Sequence, residues 1–325
     1  MKPNTVGPNT ANKVAIIGTG IVGASVAFAC LMRGVASEYL LYDLDESLAW
    51  GHTLDLEDSA FISSAELRAI QRTNAQECGQ ADIIVIAAGY RQGPGETRDM
   101  LLTRNENILK DVIHCISPIK SSAIVIMATN PVNILTDLAQ RLTGLPRSQV
   151  FGSGTYLDTI RLRTAIKKAL QGEVEESSIQ AYVLGDHGDK QVAIWSSATI
   201  AGTTLTSFEE LEHMITREKI AHATATKIYE IIEHKGASSY GIAAVVTELI
   251  LAITMNKRTV IPLTVYSERY DACLSLPSVL GVRGIERIFY PAMNPKEQAL
   301  LEDYVMCNRV ICAKYRIPEL AAAEE

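Results

Sequence analysis

Gly18-Thr19-Gly20-Ile21-Val22-Gly23 follows a short apolar run, Val14-Ala15-Ile16-Ile17, and opens a stretch of helical composition. Glycines at these three positions permit a tight turn, close approach of the main chain to a pyrophosphate, and close packing of a helix on a strand. The helix that begins at Ile21 and Val22 presents unpaired N–H groups and the positive end of its dipole to phosphate. Asp43 stands 20 residues beyond Gly23, at the end of a second apolar run, Tyr39-Leu40-Leu41-Tyr42. A carboxylate there accepts hydrogen bonds from ribose hydroxyls and repels a 2′-phosphate, so the pattern favours NAD over NADP. The competing reading makes Asp43 a turn residue and the glycines packing residues. The strand before the glycines and the helix after them weigh against it.

Four further segments hold polar residues where a buried sheet edge has no need of them: Ala88–Arg98, Thr129–Val132, Leu157–Arg163 and Gly185–Asp189. His187 is the natural candidate for proton transfer, because an imidazole titrates near neutrality. A lone loop histidine also serves as a structural hydrogen-bonder. Asp158 and Arg161 are three apart on a predicted helix and therefore share a face. For Arg161 the plainer alternative is a surface salt bridge, for Arg98 a solvated charge on a glycine- and proline-rich loop, and for Asn130 a turn before Pro131.

The elements that must position these groups fall into two patterns. Up to about residue 150, short buried runs (Val14–Ile17, Tyr39–Tyr42, Ile83–Ile86, Ala123–Met127) alternate with helical stretches, which argues for a doubly wound parallel sheet of the Rossmann type. Beyond it the pattern is α+β. Helices are expected over about 158–170, 208–234, 239–255 and 295–315, and strands over 179–184, 260–266, 273–280 and 284–290. The expected organisation is a flexible tail over 1–12, an NAD-binding domain over 13–150 and a substrate domain over 151–325, in an α/β fold. A chain of 325 residues suits about two domains. Thirty basic residues against 37 acidic ones give a net charge of −7, which disfavours a nucleic-acid partner. No apolar run reaches the roughly 18–20 residues of a membrane span. The six scattered cysteines suit reduced thiols in the cytoplasm better than disulfides or a metal centre, so no metal is expected.

Taken in order and spacing, these five motifs resemble the lactate/malate dehydrogenase family of NAD-dependent 2-hydroxy acid dehydrogenases, from about Lys13 to Ile317. The resemblance implies that Gly18, Gly20, Ile21, Val22, Gly23, Asp43 and Gly89 bind the cofactor, with Asn130 on the nicotinamide or carbonyl side. It implies that Asp158 orients His187 and stabilises its imidazolium, that Arg161 grips the substrate carboxylate through a guanidinium fork, and that Arg98 rides a loop that closes over the reacting carbonyl. Hydride transfer to a 2-oxo acid places negative charge on the carbonyl oxygen, and His187 supplies the proton.

Gln92 bears on the substrate. The malate-specific branch has an arginine at the matching position, and a neutral residue leaves a second carboxylate unpaired, at a cost of several kcal/mol. Pyruvate, reduced to L-lactate, is therefore the expected substrate, although neighbouring Arg91 leaves malate dehydrogenase or a broad 2-hydroxy acid specificity as alternatives. Ser238 stands where the lactate branch commonly has threonine, which opens a little space for larger 2-oxo acids. Asp186 replaces the usual glutamate. Arg163 matches half of the family's fructose 1,6-bisphosphate clamp, but Gln180 replaces its histidine, so activation by that sugar phosphate is not expected. The family is oligomeric, which implies a homo-oligomer, a tetramer before a dimer. Outside the enzyme class, the alternative is an idle NAD-binding or structural protein. The joint presence of His187, Asp158, Arg161 and Arg98 counts against it.

Overall fold

The computed structural model describes residues 11–61, 67, 69–90, 98–208 and 216–314. The fold is α/β and comprises two compact units. One takes in the chain up to Ser153 together with Ser239–Val260 and Val279–Arg287; the other holds Gly154–Ser238, Ile261–Ser278 and the chain from Ile288 onward.

In the first unit β1 (Ala11–Ile17), β2 (Ala36–Tyr42), β3 (Ala69–Arg72), β4 (Ile83–Ile86), β5 (Ile124–Met127) and β6 (Val150–Gly152) lie in the order β3-β2-β1-β4-β5-β6. Every pairing among them is parallel. β4 and β5 are buried at each position, as strands covered on both faces must be. The connections carry α1 (Ile21–Arg33), α2 (Glu46–Ala60), α3 (Ala75–Gly79), α4 (Arg98–Ile116) and α5 (Val132–Leu142). Strand order reverses between β1 and β4, and in open α/β sheets the carboxyl ends beside such a reversal bound the ligand crevice.

Beyond the single boundary near residue 150, the chain re-enters the first unit with an apolar helix, α8 (Tyr240–Thr254; α7 is given below). Its Ala243, Val246, Thr247 and Ile250 are buried, and it packs on α1, where Thr247 Oγ1 lies 3.4 Å from Cys30 Sγ. Burial pushes the Cys30 thiol up to about 12, which makes it a packing residue rather than a nucleophile. All six cysteines are free.

The second unit contains β7 (Ile179–Gly185), β8 (Gln191–Ile200), β9 (Thr203–Thr204) and the greater part of β10 (Thr259–Ser267) and β11 (Ala272–Gly281), in the order β10-β11-β7-β8-β9; β12 (Gly284–Ile288), which pairs with β11, belongs to the first unit up to Arg287. The described β7–β8, β7–β11 and β8–β9 pairings are antiparallel. The helices of the second unit are α6 (Tyr156–Ala169), α7 (Arg217–Lys235) and α9 (Pro295–Lys314). Leu162 and Ile166 of α6 pack with Ile179, Ala181 and Val183 of β7 and with Trp195 and Ala198 of β8 to form its core.

Besides the short strands β3, β6 and β9, which had no expected counterpart, two elements depart from the pattern read in the residues. Arg98, expected on a loop, is the first residue of α4. β8, whose serines and alanines blur its alternation, had no expected counterpart.

Candidate active site

The cofactor end is built at the exits of β1, β2, β4 and β5. Gly18 has φ +87°, and a Cβ there would lie 2.4 Å from the Cα of Ala88, so glycine lets the β1 and β4 exits approach at the reversal point. A Cβ on Gly23 would meet the Gly18 carbonyl oxygen at 1.8 Å, which explains the close seating of α1 on the turn. Gly20 caps α1 with no side-chain hydrogen bond and has open space around it. Ile21 is exposed and Val22 half-buried in the first helical turn. The result is an uncapped helix amino terminus able to take an anionic pyrophosphate.

Asp43 Oδ2 accepts from Thr19 N at 2.6 Å and from Thr19 Oγ1 at 3.2 Å, and its Oδ1 accepts from Asp45 N at 3.1 Å. The carboxylate thus fastens the glycine turn to the end of β2 while remaining half-buried rather than enclosed. Cradle, helix terminus and carboxylate together fit NAD.

A residue that sequence reasoning missed joins the other two exits. Asn105, 1% exposed on α4, accepts from Tyr90 N at 2.7 Å through Oδ1. Its Nδ2 donates to Tyr90 O at 3.2 Å and to Asn130 O at 2.7 Å. Thr129 Oγ1 donates to Ala88 O at 2.8 Å, and a Cβ on Gly89 would lie 2.4 Å from Thr129 Cγ2. Tyr90, next to Gly89, and Asn130 are therefore held by one buried amide, with Asn130 itself exposed. The available signal was an asparagine in register with Leu102, Leu109 and Ile113, visible only once α4 is read as a helix.

Asp158, Arg161 and His187 form a hydrogen-bonded cluster in the second unit. Asp158, in the first turn of α6, takes His187 Nδ1 at 2.6 Å on Oδ2 and Arg161 Nη1 at 3.0 Å on Oδ1. The side chains of Asp158 and Arg161 are 4% and 6% exposed, against 25% for His187. Burial alone would push the imidazole pKa down, but the charge and hydrogen bond of Asp158, with Asp186 beside it, outweigh burial and hold it above its ordinary value. Burial likewise works to raise Asp158, and the charges and hydrogen bonds of His187 and Arg161 hold it below the usual carboxylate range. With Nδ1 committed to Asp158, Nε2 is the ring nitrogen left for proton transfer.

Ser238 is half-buried in the link between α7 and α8. Gln92 and Arg91 lie outside the described residues, as does the side chain of Arg98. Arg163 Nε donates to Ala181 O at 3.1 Å with its guanidinium 5.3 Å from the Tyr182 ring centre, and Gln180 Nε2 donates to Ser177 O. Among the described residues no helix is long and apolar enough to cross a membrane.

Comparison with known proteins agrees with both halves of this arrangement. Residues 12–152 match the NAD binding domain of lactate/malate dehydrogenase, and residues 155–307 match its alpha/beta C-terminal domain. The chain belongs to the lactate/malate dehydrogenase family. It is 43% identical to L-lactate dehydrogenase A of Rhizopus oryzae over 89% of both chains. It is 38% identical to L-lactate dehydrogenase of Thermus aquaticus over 89% of this chain and 94% of that one. Among solved structures, the ligands-bound minor L-lactate dehydrogenase from Enterococcus mundtii superposes with a TM-score of 0.89 at 33% identity, covering 95% of this chain and 99% of that one. As a member of this family the chain is an NAD-dependent oxidoreductase.

Proposed function

We propose that the chain is an L-lactate dehydrogenase that interconverts pyruvate and L-lactate. The observation that carries this reading is the buried Arg161–Asp158–His187 cluster, which joins a carboxylate-binding fork to a proton donor through one shared aspartate. Arg161 has Asp158 as its one partner among the described residues and keeps the remainder of its fork for the substrate carboxylate. Bound NADH supplies the hydride to the carbonyl carbon. His187, held by Asp158 in the tautomer with Nδ1–H, donates the Nε2 proton to the developing alkoxide and is left neutral with Nδ1–H still on Asp158. In lactate oxidation the same nitrogen accepts the proton.

The neutral Gln92 supports pyruvate over a substrate with a second carboxylate, and the relatives named above are L-lactate dehydrogenases. Arg98 is assigned to polarise the carbonyl, Asn130 to hydrogen-bond it, and Ser238 to shape the pocket. A cytoplasmic homo-oligomer, a tetramer before a dimer, completes the proposal; exposed Trp50 and Leu54, one turn apart on α2, give a second copy an apolar face to cover.

The sign of the His187 shift yields the experiment. Pyruvate reduction needs protonated His187, so its kcat/KM should fall only as pH rises through a value above the ordinary 6.5. Lactate oxidation should mirror it and be lost as pH falls through the same value. A reduction rate already falling below 6.5 would contradict the assignment. Gln92→Arg should move kcat/KM toward oxaloacetate by about a hundredfold or more relative to pyruvate, measured with both substrates. An unchanged ratio would mean that Gln92 does not read the substrate tail.

A further inference from the structure

The first turn of α6 is joined to the end of β7 in an unusual way. Thr155 is the N-cap residue of α6, yet its hydroxyl makes no cap to its own helix and donates instead to Val183 O. One turn later, Thr159 Oγ1 accepts from Val183 N at 2.9 Å. Both threonines are 0% exposed. Val183 sits opposite Ala193 of β8, and β11 meets β7 at Gly185, so the main-chain groups of Val183 are completed by two α6 side chains rather than by a strand. Thr159 adjoins Asp158 in the helix, and Val183 precedes His187 by four residues.

We propose that Thr155 and Thr159 are positioning residues of the acid–base pair, whose hydroxyls clamp Val183 to the first turn of α6 and thereby set Asp158 against His187. The assignment rests on the proposed reaction. Apolar helix–strand packing is non-directional and leaves the slide of α6 along β7 soft. Two hydrogen bonds to one residue's N–H and C=O fix that slide, and a 2.6 Å contact between Asp158 and His187 depends on it. Misplacement of a catalytic group by about 1 Å can cost about a hundredfold in rate. The charged groups facing His187 are Asp158 and Arg161 from α6 and Asp186 from its own loop. α9 flanks the same loop, with Leu301 and Tyr304 against Gly185 and Asp303 on Lys190.

Thr159→Val keeps the shape and removes the acceptor. It should lower kcat/KM for pyruvate by about ten- to a hundredfold, leave NADH Kd within about twofold, and move the His187 titration, read from its ring C–H signals by NMR, toward 6.5. Thr155→Val, which removes the donor, should act in the same direction and serves if the first variant does not fold. Thr159→Ser and Thr155→Ser, which keep the hydroxyls, should restore both readouts. Valine variants with wild-type kcat/KM and an unmoved His187 titration would overturn the proposal, as would serine variants as damaged as the valine ones. A wild-type protein inert toward pyruvate would instead overturn the proposed function. The His187 titration needs no turnover and would still decide the clamp.

Discussion

His187→Ala is expected to lower kcat for pyruvate reduction by about 10²- to 10⁴-fold, the range general acids commonly contribute, while NADH Kd stays within about twofold. The two effects separate because His187 and the cofactor cradle are built by different elements. His187 stands beyond the end of β7 with its one described hydrogen bond on Asp158. Gly18–Gly23 and Asp43 hold each other through Gly18 N to Tyr42 O at 2.8 Å and Thr19 N to Asp43 Oδ2. Residual turnover should also lose the alkaline fall in kcat/KM, because the group that titrates is gone. Stopped-flow NADH oxidation and fluorescence titration of NADH read both effects, and equal losses in rate and cofactor affinity would assign His187 a structural role.

Arg161→Gln is the second large effect. The side chain is almost wholly buried, so a substrate carboxylate that docks there loses its water and depends on the fork for its hydrogen bonds. Truncating one member of a buried, hydrogen-bonded charge pair costs about 2–5 kcal/mol, equivalent to a loss of about 30- to several-thousandfold in kcat/KM. The loss should fall mostly on pyruvate KM. Arg161→Lys should recover only part of it, since an ammonium keeps the charge and loses the two parallel donors. A directional check accompanies the loss. Burial and Asp158 dominate the His187 titration, but Arg161 is the neighbouring charge that pushes it down. Removing that charge should carry the alkaline limb of the pH profile upward, whereas general loosening of the site would carry it down toward 6.5. Steady-state kinetics across pH measures both.

The parts of this site that sequence exposes are those written in local pattern. Three glycines between an apolar run and a helix specify the turn at the end of β1, because a Cβ on Gly18 or Gly23 would collide with main chain, while Gly20 leaves open space in front of the helix. The apolar runs of β4 and β5 announce strands buried on both faces. Asp158 and Arg161 fall on one helical face by spacing alone and are found paired there. What escaped has no local pattern. α4 begins directly beside a glycine- and proline-rich stretch, and this hid both the helix and the role of Asn105 on its buried face. α8 returns to the first unit because its apolar residues match α1, more than 200 residues earlier in the chain, and no window of sequence contains that match. Thr155 and Thr159 look like ordinary helix residues until Val183 is brought beside them. The meaning of Gln92 came from family resemblance alone, since a neutral loop residue carries no chemistry of its own.

The most direct measurement is NADH oxidation with pyruvate and oxaloacetate compared side by side as kcat/KM on the wild-type protein. The proposed function predicts a preference for pyruvate of about a hundredfold or more. A preference for oxaloacetate would contradict it, and would mean that a cation such as Arg91 reaches the second carboxylate.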